Sequence, residues 1–241
     1  LETLDSGKGW GAVGRLELGG EGFCTATLIA PDLALTAAHC LYSGDDDRQR
    51  PLGEFQFRLG WRNGRADAYR DIAAAIAHPR YLMMAPEKVE RRGFDIALLR
   101  LSRPVRLPGL TPFEVAPRPR HDSRVSVLAY GETSPDEPVL ERACRILSGG
   151  ARTLLLDCLV TPGASGAPVF AAGPDGRPRL VSVISARAEA DGAPVALAAL
   201  ADRALALLRT RLDGQRALAG SGRVRRFQGS GGARFLSPGE P

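Results

Sequence analysis

The sequence predicts an all-β fold of two antiparallel six-stranded β-barrels, joined by a proline-rich crossing and followed by a C-terminal helix. Three observations carry this. Short apolar or alternating runs recur along the chain, six before the crossing and six after it. Gly (28) and Pro (18) together approach a fifth of the 241 residues, which favours short elements joined by turns. A helical stripe of apolar residues follows the last run.

Residues 12–18 and 23–30 read as the first two strands. Pro31-Asp32 is a turn signal between Thr25–Ile29 and Leu33–Thr36, so these segments form a hairpin. Glu54–Gly60 alternates, with Phe55, Phe57 and Leu59 on one face. Ile72–Ala77 and Asp95–Leu101 complete a first barrel over about residues 10–105, and the polar stretch Met83–Gly93 between them reads as a surface loop. Pro104, Pro108, Pro112, Pro117 and Pro119 mark an aperiodic connector. A second barrel over about 120–200 draws on Arg124–Tyr130, Arg142–Leu147, Thr153–Val160, Ala167–Ala171, Arg179–Ser185 and Val195–Leu200. Asp202 opens a helix at about 201–212, whose apolar stripe is Ala204, Leu205, Leu207, Leu208 and Leu212. Residues 1–213 form the expected folded domain. From 214 to 241 Gly, Ser and Arg dominate, as in Arg223–Phe227, and a disordered tail is expected. No internal sequence repeat is visible.

Composition narrows the function classes. Hydrophobic residues make up 44%, enough for a core, and no run of 18 apolar residues offers a membrane span. The opening Leu1–Asp5 lacks the basic start and apolar stretch of a secretion leader. Net charge is +5, and Lys occurs only at 8 and 88, so the basic residues are almost all arginine. They are scattered and no nucleic-acid motif accompanies them, so no nucleic-acid partner is expected. Cys24, Cys40, Cys144 and Cys158 permit three pairings. None has C-x-x-C spacing, which speaks against zinc, and no metal or cofactor is expected. Disulfides in an oxidising compartment, secreted or periplasmic, fit better.

Three segments carry chemistry. Thr36-Ala37-Ala38-His39-Cys40 ends a strand, Asp95–Leu101 begins a later one, and Gly163-Ala164-Ser165-Gly166-Ala167-Pro168-Val169 surrounds a serine between two strands. Singly, each has an ordinary structural reading: Asp95 caps a strand, Ser165 sits in a turn. Together, the order His, Asp, Ser differs from that of other serine hydrolase folds. Over roughly residues 10–212 the chain resembles the chymotrypsin/trypsin family of serine proteases.

That resemblance implies a cleft between the barrels holding His39 as general base, Asp95 as its orienting partner and Ser165 as nucleophile. It implies an oxyanion hole from the backbone N–H groups of Gly163 and Ser165. It also implies disulfides Cys24–Cys40 and Cys144–Cys158, and a substrate-binding wall including Leu159, Val160, Ser185, Ala186 and Arg187. The expected activity is a monomeric endopeptidase acting on protein or peptide through an acyl-enzyme. A catalytically silent homologue that only binds protein is the alternative. His78-Pro79-Arg80-Tyr81 matches a family segment, and His78 and His121 read as a surface-turn and a solvated residue.

The departures concern specificity and activation. Ala164 precedes the serine where digestive and clotting members carry Asp, and Ala167 stands where they carry Gly. These small residues resemble the bacterial glutamyl-endopeptidase-like branch. Leu159 stands six before Ser165, where cleavage after Arg or Lys would need Asp. Arg187, two beyond Ser185, is the one charge expected at the pocket entrance. Without a carboxylate at 164, a buried N-terminal ammonium would lack its partner there, so activity is not expected to need a newly made N-terminus at a defined residue.

Overall fold

The computed structural model describes residues 9–43, 48–84, 89–190 and 192–221. Six strands close the first barrel: β1 (Val13–Leu18), β2 (Phe23–Ala30), β3 (Leu33–Thr36), β4 (Phe55–Leu59), β5 (Ala68–Ala77) and β6 (Ala97–Leu101). Six more close the second: β7 (Arg124–Gly131), β8 (Ser134–Ser148), β9 (Thr153–Leu156), β10 (Pro168–Ala172), β11 (Pro178–Ala190) and β12 (Ala193–Leu200). Around the first the order is β1-β2-β3-β6-β5-β4, and around the second β7-β8-β9-β12-β11-β10 traced from β7, so one antiparallel topology is used twice. The duplication is structural and has no counterpart in the sequence. A barrel asks only for inward apolar side chains at alternate positions, and many sequences satisfy that.

The hairpin at Pro31-Asp32 pairs Ala30 with Leu33 and Thr27 with Leu35. On β4, Phe55, Phe57 and Leu59 all point inward and are buried, as the alternation requires. They pack with Leu16, Leu28, Leu35 and Leu98 in the first core. Val125, Val127, Ile146, Leu154, Val169 and Val181 fill the second. The connector between barrels runs without strands from 102 to 123. Its middle is tied to both barrels, by Phe113 N–H to the Leu28 carbonyl of β2 (2.9 Å) and Ala116 N–H to the Leu180 carbonyl of β11 (2.9 Å).

Four segments differ from the sequence expectation. Met83–Gly93 is not simply a surface loop. It follows the single turn α1 (Pro79–Leu82) and contains α2 (Val89–Arg92), where Arg91 is 3% exposed with its guanidinium 4.1 Å from the Tyr81 ring. The polar composition hid this because arginine buries its stem and stacks its head on an aromatic face. β8 is far longer than Arg142–Leu147, because its first half, Ser134–Glu141, has no fully buried residue and is held by pairing to β7 rather than by an inward apolar face. β11 likewise runs past Ser185 to Ala190, paired with β12. The terminal helix α3 spans Asp202–Ser221 rather than ending at 212. Gly214 alone costs a helix only about 1 kcal/mol, and no proline lies among residues 215–221 to stop the turn. This helix reaches into the expected tail, whose remaining residues, 222–241, lie outside the described residues.

Ala204, Leu208 and Leu212 of α3 are buried against β5 and β6. Arg100 of β6 bridges Asp32 (3.0 Å) and Asp213 (2.6 Å), tying the helix to the first barrel. Disulfides Cys24–Cys40 and Cys144–Cys158 brace one barrel each. Loops of this length constrain the unfolded chain by about 3 kcal/mol apiece. No described helix is long and apolar enough to cross a membrane.

Candidate active site

His39 and Asp95 come from the first barrel and Ser165 from the second. β3 ends at Thr36 and passes into a 3₁₀ turn, Ala38–Leu41, which carries His39 and whose Cys40 is bonded to Cys24 of β2. Asp95 stands two residues before β6, with its N–H on the Arg92 carbonyl of α2 (3.2 Å). β3 and β6 pair directly, Thr36 opposite Ala97, and this register places the ends that bear His39 and Asp95 side by side.

The Asp95 carboxylate is fully buried and accepts three hydrogen bonds. Its Oδ1 takes the His39 backbone N–H at 2.8 Å. Its Oδ2 takes the His39 ring Nδ1 at 2.7 Å and the Ser185 hydroxyl at 2.5 Å. Burial alone would push this carboxyl up. The His39 charge and the donors from His39 and Ser185 outweigh it and hold the group below the ordinary aspartate range. An ionised carboxylate only accepts, so Nδ1 carries a proton, and in the neutral ring this tautomer leaves the lone pair on Nε2. The His39 side chain is 29% exposed, so its ring remains open on one side. The sulfurs of Cys24 and Cys40 lie near this ring, but the disulfide occupies them and leaves no thiolate for a metal.

Ser165 sits in a turn between β9 and β10, half-buried. Its carbonyl accepts the Thr25 N–H at 2.8 Å, which binds this second-barrel turn to β2 of the first. The turn closes tightly: Ala164 N–H reaches the Thr161 carbonyl (3.0 Å) and Ala167 N–H the Ala164 carbonyl (2.9 Å). Gly166 has φ +77°, and a Cβ there would run into Thr36 Oγ1, the Thr25 carbonyl and Ala37 N. The serine turn therefore packs against the strand end that leads to His39. Gly163 has φ +94° and lies under the Phe23 ring, which leaves no room for a side chain. Ala164 is 2% exposed, in the core of the second barrel.

The residues expected along the substrate wall divide. Val160 is buried at 6% exposure, whereas Leu159 is 64% exposed, with its N–H on Glu141 Oε1 (2.9 Å). Ser185 sits where β11 shifts register between Ile184 and Ala186, and it is turned to Asp95. Its hydroxyl thus belongs to the His39–Asp95 network, which strand periodicity does not show. Ala186 is half-buried, and Arg187 is exposed, opposite Ala196 of β12.

His78 is not on the surface. It is 5% exposed, its ring lies 4.8 Å from that of Phe94, and its Nδ1 accepts the Arg80 N–H at 3.2 Å, capping α1. The turn is local, but Phe94, sixteen residues on, covers it. Burial, then the positive charges of Arg152, Arg80 and Arg211, lower its pKa to about 4. A lowered histidine pKa means that the unfolded chain binds this proton first, so stability is lost on acidification between about pH 6.5 and 4. In His78→Asn the amide Oδ1 replaces the ring Nδ1 as acceptor for the Arg80 N–H, and the titration is gone. Thermal unfolding from pH 7 to 4 is expected to show a smaller fall in Tm for this variant than for wild type; equal falls would count against the assignment.

Paired barrels of one topology, with a histidine and a buried aspartate from the first meeting a serine turn from the second, define the chymotrypsin-type serine protease fold. The family model described as Trypsin matches residues 6–200, and the chain belongs to the trypsin family. Kallikrein-15 of Saguinus oedipus is 36% identical over 117 residues, and kallikrein-15 of Homo sapiens is 38% identical over 117. Each alignment covers 48% of this chain and 41% of the relative, so the chain spans less than half the length of the curated relatives it matches.

Proposed function

We propose that this chain is a serine endopeptidase in which His39, Asp95 and Ser165 act as one unit. The observation that carries the reading is the fully buried Asp95 carboxylate, held by His39 at 2.7 Å and by Ser185. A solitary buried carboxylate is costly. Here it meets three donors, fixes the imidazole tautomer and stabilises the cation that forms when the ring takes a proton.

The reaction follows from those groups. His39 Nε2 takes the Ser165 hydroxyl proton as Oγ attacks the scissile carbonyl. The carbonyl oxygen becomes an anion and is met by the N–H groups of Gly163 and Ser165. The imidazolium then protonates the leaving amine, whose C–N bond breaks, and the acyl-enzyme remains on Ser165. Water gives its proton to His39 and attacks the ester, the bond from the acyl carbon to Ser165 Oγ breaks, and the imidazolium returns the proton to Oγ as the acid leaves.

Leu159, Val160, Ser185, Ala186 and Arg187 form the wall of the cleft on this reading. Leu159 offers no carboxylate to an Arg or Lys side chain, and the exposed Arg187 suits an acidic residue before the scissile bond. Ala164 and Ala167 support a local likeness to the bacterial glutamyl-endopeptidase-like branch; the kallikrein relatives do not extend it. The substrate class is protein or peptide, the chain works as a monomer, and its two disulfides suit secretion into an oxidising compartment.

A fluorophosphonate probe tests the activity. Labelling at Ser165, mapped by peptide mass, is the expected result. Well-folded protein that takes up no label would instead favour the catalytically silent homologue that only binds protein.

A further inference from the structure

Family members with Asp before the serine shape the oxyanion turn with an ion pair to the N-terminal amine. Ala164 supplies no carboxylate and is packed in the second core, so the turn must be held by something else. Thr25 of β2 is 0% exposed, and each of its polar groups is bonded toward this region. Its N–H donates to the Ser165 carbonyl at 2.8 Å. Its hydroxyl donates to the Gly163 carbonyl at 3.1 Å and accepts the Tyr130 N–H at 3.1 Å. Its carbonyl accepts the Thr36 hydroxyl at 2.8 Å, on the strand that leads to His39.

We propose that the Thr25 hydroxyl is the positioning group that sets the oxyanion hole, doing by a neutral hydrogen-bond bridge what the ion pair does in those relatives. The inference rests on the serine-protease reading above. Glycine at 163 has no Cβ to restrict it, so its φ of +94° is held from outside. Two bonds hold it. Glu132 N–H donates to the Pro162 carbonyl at 2.8 Å, and Thr25 donates to the next carbonyl, that of Gly163. The peptide between Pro162 and Gly163 is planar and trans, so anchoring its carbonyl points the Gly163 N–H the opposite way. Anchoring the Gly163 carbonyl then fixes the following peptide, and with it the path to Ser165.

Tyr130 braces the bridge from the far side. It is 0% exposed, and its phenol donates to the Trp61 carbonyl at 3.0 Å. Burial pushes this phenol well up, so it stays a donor at any working pH. One threonine hydroxyl thus ties β2, the end of β7 and the serine turn together. None of its bonds reaches the substrate wall, so its loss should touch the transition state and not ground-state binding.

The test compares Thr25→Val, which keeps the shape and removes the hydroxyl, with Thr25→Ser, which keeps the hydroxyl. Wild type is labelled first with a fluorophosphonate, whose phosphoryl oxygen enters the oxyanion hole. No labelling there sinks the protease reading and this inference together. With wild type active, Thr25→Val should lose about 10- to 100-fold in kcat and in labelling rate, with KM within about twofold; misplacement by an ångström costs on this scale. Thr25→Ser should return to within about threefold of wild type. Wild-type kcat in Thr25→Val, a rise in KM without a loss of kcat, or failure of Ser to rescue overturns the inference. Thr25→Ala serves where Val does not fold, with the same expectation. If neither folds, the hydroxyl serves the fold and not the aim of the turn, and the inference is lost.

Discussion

Ser165→Ala is expected to lower kcat by about 10⁶-fold, to a residue of catalysis supplied by binding and the oxyanion N–H groups alone. The change removes one oxygen from a half-buried side chain. The turn is held through its own backbone groups, with Thr25 N–H on the Ser165 carbonyl, the Thr25 hydroxyl on the Gly163 carbonyl and Ala164 N–H on the Thr161 carbonyl, and alanine keeps all three. The Tm should therefore stay near that of wild type, and the loss can be assigned to chemistry. Adding His39→Ala should cost little more, because a base with no hydroxyl to deprotonate contributes nothing further. Steady-state turnover of a peptide substrate by wild type, both single variants and the double variant decides the matter. A Ser165→Ala protein near wild-type activity would remove Ser165 from the mechanism, and additive losses would mean that the residues do not act as a unit.

Asp95→Asn is expected to cost about 10⁴-fold in kcat while preserving the fold at neutral pH. The carboxylate accepts from His39 N–H, His39 Nδ1 and Ser185 Oγ. Asparagine has one acceptor oxygen and one donating amide in the same space. The His39 backbone N–H can only donate, so it claims the oxygen, and the amide is turned toward the ring and the serine hydroxyl. Nδ1 must then accept, the ring proton moves to Nε2, and the edge needed as a base carries a hydrogen. Acid stability gives a second reading. A carboxyl held below its ordinary range contributes stability that is present above about pH 4 and lost as pH falls through the folded value. The Asn variant lacks that contribution, so its Tm should fall less steeply over this acid limb. A variant with wild-type kcat would show that Asp95 does not set the tautomer.

Much of this site is visible in local sequence. Thr36–Cys40, Asp95–Leu101 and Gly163–Val169 are contiguous segments whose neighbours carry the signal, and Phe55, Phe57 and Leu59 state their strand by alternation alone. Other features escape because their partners are remote. The Thr25 hydroxyl meets groups 105 and 138 residues away, and in Cys24-Thr25-Ala26-Thr27 it reads only as a strand residue. Ser185 reads as part of a pocket wall, since its turn toward Asp95 comes from a register shift between Ile184 and Ala186. His78 reads as exposed because His-Pro is a turn signal, and the ring of Phe94 that covers it is supplied by a later segment.

Twelve strand segments, the hairpin at Pro31-Asp32, the crossing between barrels and the chemical types at the site are legible along the chain, although the full lengths of β8 and β11 are not. These follow from side-chain period, turn residues and local order, which act over a few residues. The shared topology of the two barrels, the Ser185 bond to Asp95, the burial of Arg91 and His78, and the threonine and tyrosine that frame the serine turn arise only on folding. Those outcomes depend on which distant backbone groups are brought within about 3 Å when two separate cores close against each other, a directional condition that short-range pattern does not encode.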